Sequence, residues 1–143
     1  LPICVDHELT GKENIITMGR MRGYTTKEML NKIPEIIEFS DLGQFIGLPM
    51  KTYSAGMFTR LVFAVATSLD PDILLMDEWI GAGDAAFFEK AKARINGILE
   101  RSRIMVLATH SYSLIKETCN KVLVLNGGVQ QYFGDVKDCE YIA

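Results

Sequence analysis

Apolar residues recur at helical spacing through the first half of the chain, and from residue 73 onward they gather into short unbroken runs. Thr10 and Glu13 stand at capping-box spacing ahead of Ile15, Ile16 and Met18, which predicts a helix from Gly11 to about Arg22, stopped by Gly23. Met29, Leu30, Ile33, Ile36 and Ile37 predict a second helix, capped by Thr25 or Thr26 and open to a kink at Pro34. Gly47 and Pro49 mark a loop leading to Ser54. Beyond it Met57, Leu61, Phe63, Ala64, Val65 and Leu69 make a helix that is apolar on most sides and therefore buried.

The later runs are Ile73 to Met76, Ile104 to Ala108 and Val122 to Leu125. They do not alternate, and helical segments from Asp84 to about Glu100 and from Ser111 to Thr118 separate them, so they predict parallel strands covered on both faces. This is α/β architecture. Gly127-Gly128 then forms a tight turn into a final strand, Val129 to Phe133. In open parallel sheets chemistry gathers at the carboxyl ends of the strands, where Asp77, Glu78 and His110 fall.

Composition narrows the function classes. With 48% hydrophobic residues and a net charge of −3, the 143 residues suit one soluble domain with a core, and show no basic excess of the kind a nucleic-acid face requires. Lys90, Lys92 and Arg94 read as a solvated helix face. Cys4, Cys119 and Cys139 are odd in number and far apart, which indicates neither a disulfide framework nor a zinc site and suits a reducing cytosol. The longest apolar stretch, Leu61 to Ala66, is far short of the roughly 20 residues of a membrane span, and the start has no signal-peptide pattern.

Each chemical candidate has a plain structural counterpart. Asp77, ending a buried strand, can hold a divalent cation through water, and Glu78 can polarise an attacking water; equally, both are ordinary strand-end residues or helix caps. Ser54, Ala55 and Gly56 precede a helix, so their N–H groups and the Ser hydroxyl can receive a phosphate, or simply cap the helix. His110, directly after a strand, can donate to a phosphoryl oxygen or serve the fold alone.

Taken together, Tyr53 to Met57 (YSAGM), Arg60, Ile73 to Glu78 (ILLMDE), Gly81 to Asp84 (GAGD) and Thr109-His110 resemble, in order and spacing, the motifs of an ABC-type ATPase domain. In that resemblance Ser54, Ala55 and Gly56 lie on the signature loop, Asp77 and Glu78 match the Walker B aspartate and catalytic glutamate, Asp84 matches the D-loop aspartate, and His110 the switch histidine. A narrower likeness, to the branch that exports capsule, O-antigen or teichoic-acid chains, is carried by Glu8 to Ile15 (ELTGKENI), Phe63 to Glu78, Gly81 to Phe87, and Tyr53 and Met57 in place of the usual Leu and Gln. The implied fold is a P-loop NTPase-like parallel-sheet core with a helical subdomain at about residues 11–50 and the signature helix and second part of the catalytic core over 51–143.

The sequence holds no G-x-x-x-x-G-K-[ST] string; its only Gly-Lys, Gly11-Lys12, is followed by Glu13. The resemblance therefore implies the later portion of the domain, expected to bind ATP weakly, if at all, on its own. It further implies that two copies sandwich ATP and Mg²⁺ head to tail, with Asp77 toward the metal, Glu78 as base and His110 on the γ-phosphate. The subunit would dock on a membrane permease at the cytoplasmic face and drive polysaccharide export. Two other readings stay open from sequence: a non-catalytic docking fragment, and a soluble ABC ATPase outside transport, although neither a basic arm nor a coiled-coil insertion supports the latter.

Overall fold

The computed structural model describes residues 5–69, 72–77, 85–101 and 104–142. They divide between two compact units, Leu1–Met76 with Ile80–Val106, and Asp77–Trp79 with Leu107–Ala143.

The first unit is built on helices α1 (Gly11–Arg20), α2 (Thr26–Ser40), α3 (Ala55–Ser68) and α4 (Ala85–Leu99). The capping box foreseen at Thr10 and Glu13 is present, and a second joins Thr25 to Glu28. In each, the carboxylate accepts from the threonine N–H and hydroxyl at 2.7–2.8 Å while the threonine oxygen accepts from the glutamate N–H at 3.2 Å. Helix α2 runs through Pro34 and ends at Asp41, whose left-handed backbone (φ 54°) a short polar side chain tolerates. Ile15, Met29, Ile36, Leu61 and Val65 are fully buried between α1, α2 and α3, and α1 meets α2 so closely that a Cβ at Gly19 would overlap Met29.

Donors from Thr10 and Thr25 hold the Glu13 and Glu28 carboxyls below their ordinary value of 4.5. A carboxyl depressed in the folded state contributes stability that is present above the unfolded value and is lost as pH falls through the folded one. Acidification below pH 4.5 should therefore lower the helical circular dichroism and melting temperature more in the wild type than in a Glu13→Gln, Glu28→Gln variant. Parallel acid titrations of the two proteins check this.

The basic cluster on α4 is not the solvated face its spacing suggests. The Arg94 side chain is only 17% exposed and pairs with Glu35 of α2. Its guanidinium lies 4.4 Å over the Phe39 ring and donates to the Thr67 carbonyl. Lys90 reaches Asp41 at 3.2 Å, the Glu38 carbonyl at 3.1 Å and the Phe39 ring at 5.1 Å. Their partners lie tens of residues away, which local spacing cannot reveal.

Strands β1 (Ile73–Asp77) and β2 (Ile104–Ala108) pair. The Ile104 N–H donates to the Asp72 carbonyl, which sets the two strand beginnings side by side, so they run in the same direction. The expected cover on both faces is absent among the described residues: Ile73, Leu75, Ile104 and Val106 are each more than half exposed. The third apolar run also departs from expectation. It forms β3 (Lys121–Asn126), which pairs antiparallel with β4 (Val129–Asp135) in a separate two-stranded sheet. The reason is local: Gly127 and Gly128 both take positive φ (58° and 78°), the turn that folds a strand straight back on its predecessor. In this second unit α5 (Tyr112–Thr118) joins the hairpin around Ile115 and Cys139, with Val122, Val124, Tyr132 and Val136 packed against them.

Candidate functional site

Ser54, Ala55 and Gly56 open α3. Ser54 is its N-cap, in extended conformation, and its Oγ accepts from the Met57 N–H at 3.2 Å. The plain capping role is therefore real, and compatible with a second one, because an accepting hydroxyl keeps its own proton to donate. The Ala55 and Gly56 N–H groups belong to a first turn that has no intrahelical acceptors. Ser54 and Ala55 are exposed.

Gly56 is informative because nothing within the described chain requires it. Its φ is not positive, and an added Cβ would have only Ser54 Oγ near it, at 3.9 Å. By contrast, at Gly19 or Gly134 a Cβ would strike a neighbouring side chain. Gly47 and Gly97 share this freedom, and what distinguishes Gly56 is its place in the first turn of α3 beside Ser54 and Ala55.

The approach to this loop is braced by the segment before α1. Leu9 and His7 carbonyls accept from the Met50 and Lys51 N–H groups at 2.9 Å, the Gly11 N–H donates to the Leu48 carbonyl, and Lys51 pairs with Glu8 at 2.6 Å. Asn14, fully buried, clamps the segment with its amide: Oδ1 accepts from the Asp6 N–H, and Nδ2 donates to the Asp6, Leu9 and Thr10 carbonyls. The His7 ring stacks on Phe58, one turn into α3, at 5.8 Å and 9°. None of these contacts follows from spacing, although the capping box in the same stretch signals where the segment must stop.

Asp77 is the last residue of β1 and is exposed; His110 stands two residues past β2 and is exposed as well. Because the strands are neighbours running the same way, these residues close the same edge of the pair. His110 sits between β2 and the cap of α5, where Ser111 Oγ accepts from the Leu114 N–H and the Ser111 N–H donates to Thr109 Oγ1 at 3.1 Å. Asp77 and His110 thus come together at one edge, while Ser54, Ala55 and Gly56 are contiguous on α3. Glu78 and Asp84 lie outside the described residues. Arg60, on α3, lies 5.2 Å over the ring of Phe87, the last residue of the GAGDAAF stretch.

Known proteins give this geometry its context. No protein-family model matches the chain. It is 50% identical over 125 residues to the O-antigen export system ATP-binding protein RfbE of Yersinia enterocolitica, covering 87% of this chain and 52% of that protein. It is 41% identical to the teichoic acids export ATP-binding protein TagH of Bacillus anthracis, over 92% of this chain and 24% of that one. To the O-antigen export system ATP-binding protein RfbB of Myxococcus xanthus the identity is 39%, over 89% and 29%. The chain thus spans about half the length of the first of these relatives and about a quarter of the others. Among solved structures, an ATP-binding subunit of an ABC transporter superposes with a TM-score of 0.80 at 21% identity, over 94% of this chain and 56% of that one. An ATP-binding cassette described as dimeric, in a post-hydrolysis state bound to ADP and Pi, gives 0.72 at 19%, over 94% and 60%. These structures share the fold.

Proposed function

Since this chain belongs to the ABC-type ATP-binding proteins of polysaccharide export, we propose that it forms part of an ATP-hydrolysing subunit driving a cell-surface polysaccharide across the membrane. Two copies work head to tail, docked on an integral membrane permease at the cytoplasmic face. No helix among the described residues is long and apolar enough to cross the bilayer.

The described residues suit the ligands this requires. The exposed carboxylate at Asp77 suits Mg²⁺, which keeps much of its water and takes one or two carboxylates beside phosphate oxygens. MgATP, when bound, supplies the phosphoryl group whose transfer depends on positioning and charge neutralisation. Ser54 donates its hydroxyl proton, and Ala55 and Gly56 their N–H groups, to phosphate oxygens held by the second copy. Glu78 orients the attacking water and accepts its proton, His110 donates to the γ-phosphate, and Asp84 joins Ser54, Ala55 and Gly56 as a nucleotide-binding residue.

The observation that carries this reading is the head of α3, where Ser54 and Ala55 are exposed and Gly56 adds no side chain beside their first-turn N–H groups. Gly56→Ala should fold normally and gain up to about 1 kcal/mol of helix stability, while ATP turnover of the complete subunit falls at least tenfold because a methyl group now meets the phosphate. Melting curves and steady-state turnover test both halves. Undiminished turnover would sink the proposed phosphate contact.

A further inference from the structure

The two stretches that set this chain apart within its wider family, Glu8 to Ile15 and Tyr53 to Met57, meet in the structure. The Tyr53 hydroxyl donates to the Phe45 carbonyl at 2.8 Å. On the way it passes over the start of α1, where a Cβ on Gly11 would overlap the phenol oxygen and stand 3.0 Å from Ile46 Cδ1 and 3.1 Å from the Ile46 carbonyl oxygen. Gly11 has no positive φ, so the glycine is there for space and not for conformation. Partial burial pushes the Tyr53 phenol above its ordinary range. A leucine, usual at this position, has no hydroxyl to make the bond.

We propose that Tyr53 is a positioning residue for the phosphate-binding loop: Gly11 opens the space, the Phe45 carbonyl fixes the phenol, and Ser54 to Gly56 are held at the head of α3 as a consequence. Tyr53 immediately precedes Ser54, so the anchored phenol lies one residue from the cap that presents the loop. The backbone bonds from Met50, Lys51 and Gly11 fix the other side of the same approach. This inference rests on the reading of Ser54 to Gly56 as a phosphate contact.

The test is a cycle of Gly11→Ala, Tyr53→Phe and their combination in the complete subunit, followed by melting and by ATP turnover. Tyr53→Phe removes the one atom that a Gly11 methyl group overlaps most, so the two changes must couple. Gly11→Ala alone should melt several degrees lower and, well below its melting temperature, lose about tenfold or more in kcat with little change in KM for ATP, since a misplaced loop impairs the reacting geometry and not the first binding of nucleotide. Adding Tyr53→Phe should restore much of the melting temperature but not kcat, because the bond that holds the phenol to the Phe45 carbonyl is then gone. Additive melting effects, or a folded Gly11→Ala subunit with wild-type kcat, would overturn the positioning role while leaving the ATPase reading intact. A wild-type subunit that hydrolyses no ATP would overturn both, even with coupled melting.

Discussion

Glu78→Gln, made in a complete ATP-binding subunit built on this chain, should bind MgATP as the wild type does and lose about a hundredfold or more of its turnover. The carboxamide keeps the volume and the hydrogen-bonding reach of the carboxylate, so a bound nucleotide finds the same surroundings. It cannot take up the proton that the attacking water must release. Phosphoryl transfer offers the protein little covalent work, which leaves positioning and proton acceptance as the places where a single side chain weighs most. Calorimetric titration with MgATP and a phosphate-release assay separate the two effects. Wild-type turnover in the Gln variant would remove Glu78 from the base role, and loss of binding would move it to the nucleotide pocket instead.

The largest effect on stability is expected at Phe87. Its ring is 2% exposed and meets Phe39 and Phe63 edge-on at 5.8 and 5.9 Å, with the Arg60 guanidinium above it. Phe87→Ala removes a large apolar volume from this cluster and should cost about 3–5 kcal/mol, a large share of the roughly 5–15 kcal/mol that holds a domain folded. Phe88, the next residue, is 38% exposed and supplies the control. Phe88→Ala should shift the denaturation midpoint only slightly. Equal losses at the two positions would contradict the packing.

The helices were legible in the sequence because each carries its own punctuation. Thr10, Thr25 and Ser54 accept N–H bonds at the three starts, where a short hydroxyl precedes an apolar helical pattern. The apolar run on α3 likewise marked a buried helix, and Leu61 to Val65 are all buried. Strand existence was legible as well, but strand partnership was not: Val122 to Leu125 is an unbroken apolar run like the one in β1, and the two turn glycines after it determine its pairing. Cover over Ile73 and Leu75 was inferred from hydrophobicity, a property that says a face wants burial without naming what supplies it. The positions of Ser54, Asp77 and His110 at element ends were readable from motif order. Asn14 on the Asp6 carbonyl, Tyr53 on the Phe45 carbonyl and Phe87 beneath Arg60 are side-chain contacts that no periodicity encodes.

The cations at the far end of α3 alter what its near end can do. Lys32 donates to the Ser68 carbonyl at 2.7 Å and Arg94, itself paired with Glu35, to the Thr67 carbonyl, so the partial negative charge of that terminus is met by two cationic side chains. A helix in this state is no longer a balanced dipole. It behaves as a one-ended pole, with the roughly half a positive charge of its first turn left uncompensated along its length. An anion approaching Ser54 therefore meets a field from which the opposite terminus subtracts less, and Lys32 and Arg94, both far from the loop in sequence, help to set it.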